Sequence, residues 1–279
     1  MSLRLMYITN NPKIALIAEQ NGVDRIWIDL ETLGKEERQK GINSVKSNHS
    51  ISDISSISKI LTSSELLVRV NPWNEDSVLQ INQVIDAGAE LIMLPMWRSP
   101  EEVKSFIEVV SNRTKTILLL ETKEAIDCLD EVLNLSGIDE IHIGLNDLHI
   151  ALGKTFMFEL LADGTVESLC RKIRKARIPY GFGGIAKIGD GLLPAEKIIL
   201  EHYRLGSTRA ILSRTFCDNA HIQDIEEIRK VFELNMKKLR TFEEYAAIQN
   251  EEALLKNKEE VLIGVKAVVE MMRKVCIHE

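Results

Sequence analysis

The stretch Leu91-Ile92-Met93-Leu94-Pro95-Met96-Trp97-Arg98-Ser99-Pro100-Glu101-Glu102 holds the repeating unit of the whole chain. Its apolar run has no polar alternation, as in a strand buried on both faces. Ser99 followed by Pro100 is a helix start, with a side-chain acceptor at the cap and a preset φ behind it. Glu101 and Glu102 then add negative charge where the helix dipole favours it. The unit is strand, short polar turn, helix.

Working outward, the same grammar recurs. Apolar runs fall at 3–9, 25–31, 66–71, 91–96, 116–121, 140–144, 178–182 and 209–212. Helical patterns fall between them at 11–21, 75–87, 100–112, 122–133, 166–176 and 194–205. Eight strands alternating with helices predict an α/β chain folded as a (β/α)8 TIM barrel with extra C-terminal helices. A doubly wound sheet is the rival, but the strand count and the polar residues ending many strands favour closure. Residues 34–64 depart from the repeat. Ser44, Ser47, Ser50, Ser52, Ser55, Ser56 and Ser58 mark a loop followed by a short helix. The expected domains are a barrel over 1–221 and a helical extension over 222–279. Leu254, Val261, Leu262, Val265, Val268, Val269, Met272 and Cys276 recur at helical spacing, so the extension packs on the barrel or on a neighbouring subunit.

Composition narrows the class. The chain has 279 residues, 45% hydrophobic and 28% charged, with 35 basic against 42 acidic side chains and a net charge of −7. No Lys/Arg run exceeds two residues, which argues against nucleic acid. The four cysteines (Cys128, Cys170, Cys217, Cys276) form no C-x-x-C pair, so neither a zinc knot nor a disulfide framework is expected. No window is long and apolar enough for a membrane span, and the N-terminus lacks a signal-peptide pattern. The expectation is a soluble, cytoplasmic protein.

In a barrel, chemistry sits where the strands end. Glu121 and Asp147 end adjacent strands, and such strands lie about 5 Å apart. Two converging carboxylates without Cys or His beside them suit Mg²⁺ or Mn²⁺, although each also precedes a helix start and could serve as a cap. Arg69, near the end of an apolar strand, needs an anionic partner. That partner is a substrate carboxylate or enolate, or else Asp29 or Glu31 in a structural pair. His49 lies in the serine-rich loop, which could fold over the barrel mouth. His149 follows Asp147 closely, and His142 lies inside a strand. Lys187, behind Gly183-Gly184, has the position of a Schiff-base lysine, or of an ordinary loop residue. Trp73 and Trp97 either wall a pocket or pack in the core.

Asp29-Leu30-Glu31, Val68-Arg69-Val70-Asn71-Pro72, Gly88-Ala89-Glu90-Leu91-Ile92-Met93-Leu94-Pro95-Met96, Glu121-Thr122-Lys123-Glu124-Ala125 and Ile143-Gly144-Leu145-Asn146-Asp147-Leu148 occur in that order. Together they resemble the HpcH/HpaI aldolase and citrate lyase β-subunit family of the pyruvate/phosphoenolpyruvate barrel superfamily. The likeness covers about 22–155, and continues more weakly through the eighth strand. The resemblance implies Mg²⁺ or Mn²⁺ held by Glu121 and Asp147, chelated by a 2-oxo acid such as pyruvate. It implies that Arg69 stabilises the enolate, with backbone N–H groups around Gly144 and Leu145 at the substrate carboxylate; Asn146 and Trp97 complete the expected substrate-binding set. It also implies a homo-oligomer built through the terminal helices. One departure stands out. Family aldolases carry His after Asp-x-Glu, citrate lyase-like members carry Asp, and this chain has Thr32. Asp29, His49 or a metal-bound water then becomes the candidate for proton transfer, with Glu31 beside Arg69 and Asp29 in the expected catalytic set. The expected activity is a metal-dependent carbon–carbon lyase of the class II aldolase type. The alternatives are an acyl-CoA lyase of the citrate or malyl type, or a diverged barrel that binds a keto acid without turnover.

Overall fold

The computed structural model describes residues 2–34, 48–213, 216, 217, 222 and 224–276. The expected loop positions Ser44 and Ser47 lie outside the described residues. Eight parallel strands close in chain order: β1 (Arg4–Ile8), β2 (Arg25–Asp29), β3 (Glu65–Arg69), β4 (Leu91–Leu94), β5 (Lys115–Leu120), β6 (Glu140–Ile143), β7 (Tyr180–Ile185) and β8 (Arg209–Leu212). The chain is therefore a TIM-like (β/α)8 barrel, as the repeating unit predicts. It divides into two compact units, Leu5–His142 and Met1–Arg4 with Ile143–Glu279.

In the unit Leu5–His142 the helices are α1 (Pro12–Gln20), α2 (Ile51–Ser58), α3 (Ser77–Asp86), α4 (Pro100–Val110), α5 (Lys123–Asp127) and α6 (Leu129–Val132). Asn11 and Ser99 cap α1 and α4 with their side chains, and each cap is followed by proline. The short helix expected after the serine-rich stretch is α2. Asp53 fixes its first turn by accepting the Ser50 N–H at 2.7 Å. The single helix expected over 122–133 is two, because Cys128 leaves helical geometry at φ −101°, ψ 9° and separates α5 from α6.

Period two along a strand places Arg25, Trp27 and Asp29 on one face of β2. The β2–β3 register sets them beside Glu65, Leu67 and Arg69 in turn. Charge thus occupies both ends of this face, with an aromatic ring between. At the N-terminal end the fully buried Arg25 forks onto Glu140 with two bonds of 2.7 Å and reaches Glu65 at 2.9 Å. At the C-terminal end Asp29 meets Arg69. Burying such charges is tolerable only because each is paired.

In the unit Met1–Arg4 with Ile143–Glu279 the helices are α7 (Leu145–Ala151), α8 (Glu159–Ala162), α9 (Thr165–Lys175), α10 (Ala195–Leu205), α11 (Ile225–Ala247) and α12 (Glu251–Cys276). β7 runs three residues past the expected end at Phe182. Gly183 and Gly184 offer no apolar side chain to read, yet their backbone continues the ladder to β8 after a register shift. At Gly183 (φ +54°) a Cβ would sit 2.7 Å from a Leu145 methyl, so only glycine lets α7 start there. The two terminal helices pack within this unit. Asn257 Nδ2 donates to Lys197 O and Glu201, and Lys258 pairs with Glu167 at 2.8 Å. Asn235 Nδ2 donates to Phe216 O at 2.7 Å, and Glu243 accepts the Leu3 N–H at 2.7 Å.

Candidate active site

The strand ends of the Leu5–His142 unit bring four of the predicted residues together. Arg69 donates from Nε and Nη2 to the two oxygens of Asp29, both at 2.9 Å. Glu31 Oε2 lies 3.2 Å from the same Nη2. Nη1 is the guanidinium edge outside both pairs. The guanidinium carbon stands 5.1 Å from the Trp27 ring centroid, so the ring supports it from the barrel interior. Burial alone would ease the proton off Arg69. The charges of Asp29, Glu31 and Glu121 outweigh that and hold its pKa above the ordinary arginine value, so the cation is permanent. Of the two partners expected for Arg69, the structure contains the protein carboxylates.

His49 reaches this cluster. Its Nδ1 accepts the backbone N–H of Asp29 at 2.9 Å. Thr32 is exposed, and it faces Asn71: Thr32 N–H, Thr32 Oγ1 and Leu33 N–H all donate to Asn71 Oδ1, at 2.8, 3.3 and 3.1 Å. One amide oxygen therefore pins the turn after β2 to the end of β3.

Glu121 is 3% exposed just beyond β5, and its Oε1 accepts the Met96 N–H at 3.2 Å. Met96 aims that N–H by adopting φ 53°, a left-handed conformation uncommon for a non-glycine residue. Thr122 Oγ1 donates to Trp97 O at 2.8 Å, tying the turn after β4 to β5 a second time. The Trp97 ring is fully buried and its Nε1 has no hydrogen-bond partner.

In the other unit Gly144 precedes α7 and its carbonyl accepts the Leu148 N–H at 3.1 Å. Asp147 is half-buried in the first turn, Asn146 is exposed and Leu145 is buried against β7. His149 Nδ1 lies 3.1 Å from Leu145 O. Lys187 faces Asp190 at 3.6 Å, and both are about half exposed. His142 is buried within β6.

Among the described residues no group of three or more His, Cys, Asp or Glu comes together as a metal cage. Magnesium does not require one, since it is commonly held through one or two carboxylates with water and substrate oxygens completing the shell. Glu121 has the right donor chemistry: a hard carboxylate, buried, with one oxygen fixed by a backbone N–H.

A closed parallel barrel with an Arg–carboxylate cluster at its C-terminal strand ends defines the class, a TIM-type α/β protein with a polar site where that fold carries its chemistry. The chain belongs to the HpcH/HpaI aldolase/citrate lyase family, whose pattern matches residues 4–162, more than half of its length. It is 26% identical over 198 residues to a hydroxypyruvate/pyruvate aldolase of Roseovarius nubinhibens, covering 57% of this chain and 71% of that protein. It is also 26% identical over 143 residues to a 2-keto-3-deoxy-L-rhamnonate aldolase of Shigella dysenteriae. There the match covers 40% of this chain and 54% of that relative, so the chain spans about half of its length. An HpcH/HpaI aldolase from Desulfitobacterium hafniense shares the fold at TM-score 0.59 and 16% identity, with 76% of this chain and 86% of that one covered.

Two contributors carry no signal of their own in the sequence, and a third, the candidate His49, gives none of its partner. Asn71 was visible only as part of an Asn-Pro turn, and Met96 only as an apolar residue, because nothing in a methionine announces positive φ. The His49–Asp29 contact spans twenty residues of sequence, and no periodicity reports it.

Proposed function

We propose that the chain is a carbon–carbon lyase of the class II aldolase type, acting on a pyruvate-like 2-oxo acid. The observation that carries this reading is the permanently charged Arg69, held by Asp29 and Glu31 on two edges with Nη1 outside both pairs, in the field of Glu121. A guanidinium fixed in this way is preorganised to meet charge that develops on substrate oxygen as a neighbouring carbon–carbon bond breaks. Asp29 and Glu31 orient it, and Trp27 stops it from sinking into the barrel.

Glu121, just beyond β5, and Asp147, which lies in the first turn of α7 and not at the end of β6 as the sequence suggested, are the residues we assign to a divalent ion, Mg²⁺ or Mn²⁺, on the family motif. Bound there, the ion would supply Lewis-acid polarisation of the 2-oxo acid. Gly144, Leu145 and Asn146 lie at the start of α7, where backbone N–H groups suit a substrate carboxylate. The names of the aldolase relatives support the substrate class. A homo-oligomer is part of the same reading. Leu255, Ile263 and Met271 of α12 are large apolar side chains left about half exposed or more.

The test is metal binding by calorimetry beside a pyruvate-release assay. Glu121→Gln and Asp147→Asn should each weaken Mn²⁺ binding at least about tenfold, because a carboxylate ligand loses its charge. Unchanged affinity in both variants would remove the assignment.

A further inference from the structure

Asp29 uses its two polar ends differently: the carboxylate holds Arg69, and the backbone N–H goes to His49. The ladder explains the second contact. β1 and β2 stay paired to Ile8 opposite Trp27, and Thr9 N–H returns to Trp27 O at 3.2 Å. The chain then turns off through Asn10 and Asn11 into α1. The next N–H along β2 belongs to Asp29, and an imidazole nitrogen receives it where β1 has left the sheet. The segment is anchored just behind His49. Asp53 Oδ2 accepts from Ser50 N–H, Ser50 Oγ and Asn10 Nδ2 at 2.7, 3.0 and 3.2 Å.

A ring nitrogen that accepts from an amide carries no proton, so the neutral ring carries its proton on Nε2. Such a ring is a poor proton shuttle. Releasing the Nε2 proton would leave an imidazolate, and taking one up on Nδ1 would break the bond to Asp29. Donating a hydrogen bond without transferring the proton remains open to it. We propose that His49 acts in the lyase reaction as a neutral hydrogen-bond donor through Nε2–H to the substrate oxygen that gathers charge, beside Arg69. The proposal rests on the lyase reading above. Among the described residues, Asp53 of α2 couples electrostatically to the ring, and Asp29, Glu31 and Arg69 form the charged cluster at the strand ends that it reaches. What keeps the ring neutral is the bond itself, since an imidazolium has no lone pair on Nδ1 with which to accept the Asp29 N–H.

Two readouts test this separately. Ring shifts of ¹⁵N-histidine protein, with His49→Gln identifying the resonance, should show Nε2 protonated and Nδ1 bare between about pH 6 and pH 8. An imidazolium or the other tautomer overturns the proposal. In pyruvate methyl exchange with Mn²⁺, His49→Ala should lose about 10²- to 10³-fold in rate, as for removal of one preorganised donor. His49→Gln, which keeps an N–H donor but cannot ionise, should stay within about tenfold of wild type with an unchanged pH profile. A glutamine variant as slow as alanine, or the loss of a histidine limb from the profile, overturns the donor role. A wild-type protein without exchange overturns the lyase reading and this role with it, while the ring shifts still report whether the tautomer was read correctly.

Discussion

Arg69 is constrained on two edges by carboxylates and on one face by Trp27, so in the proposed reaction its shape matters as much as its charge. Arg69→Lys keeps the charge but loses the fork. It should cost about 10²- to 10³-fold in kcat while changing metal affinity little, since the ammonium cannot satisfy Asp29 and a substrate oxygen together. Steady-state kinetics beside calorimetry checks this, and a rate near wild type would argue against the role. At this scale much of the site was legible. Asp29, Glu31, Arg69 and Glu121 stand at the ends of apolar runs, and a strand-end position fixes a side chain well enough to read from sequence. The groups that hold them were not legible. Met96 aims its N–H at Glu121 through φ 53°, which its side chain does not encode. His49 reaches Asp29 by the path of a loop, and loops carry no period.

Elements in this chain are fastened to one another by buried carboxylates that collect backbone N–H groups. Glu19, in the last turn of α1, accepts from Thr62, Ser63 and Ser64 at 2.8, 2.7 and 2.9 Å and so fixes the entry to β3. Burial pushes its carboxyl up, but those hydrogen bonds outweigh it and hold the pKa below the ordinary value. The sign follows from linkage. A lowered folded pKa gives stability that is present above the unfolded value and lost as pH falls through the folded one. Glu19→Gln should therefore cost about 1–2 kcal/mol at neutral pH, with the gap to wild type closing below about pH 4. Urea titrations at several pH values measure it, and a gap that persists at low pH would contradict the charge argument. Element boundaries were legible where side chains change character and illegible where backbone alone decides. β7 passes through Gly183 and Gly184 without an apolar signal, and the helix expected over 122–133 breaks at an unremarkable Cys128.

For the molecule as a whole, the eightfold alternation of strand and helix was the legible part, because each strand must bury both faces. The charged floor beneath it was not, since Arg25 and Glu140 lie 115 residues apart. Arg25→Met should destabilise by about 3–5 kcal/mol by stranding the buried Glu140, and adding Glu140→Leu should recover most of that loss. Thermal denaturation of the single and double variants decides it; a double variant no better than the single would refute the pairing. The C-terminal strand ends carry the opposite investment, a cation and several carboxylates gathered where the fold does chemistry. What this collection does is tested most directly by proton exchange at the pyruvate methyl group in D₂O, followed by NMR with Mg²⁺ or Mn²⁺ and again with excess chelator. Exchange is expected with the metal, abolished by chelator and strongly reduced in Arg69→Lys. Exchange that survives chelator, or none under any condition, would contradict that expectation.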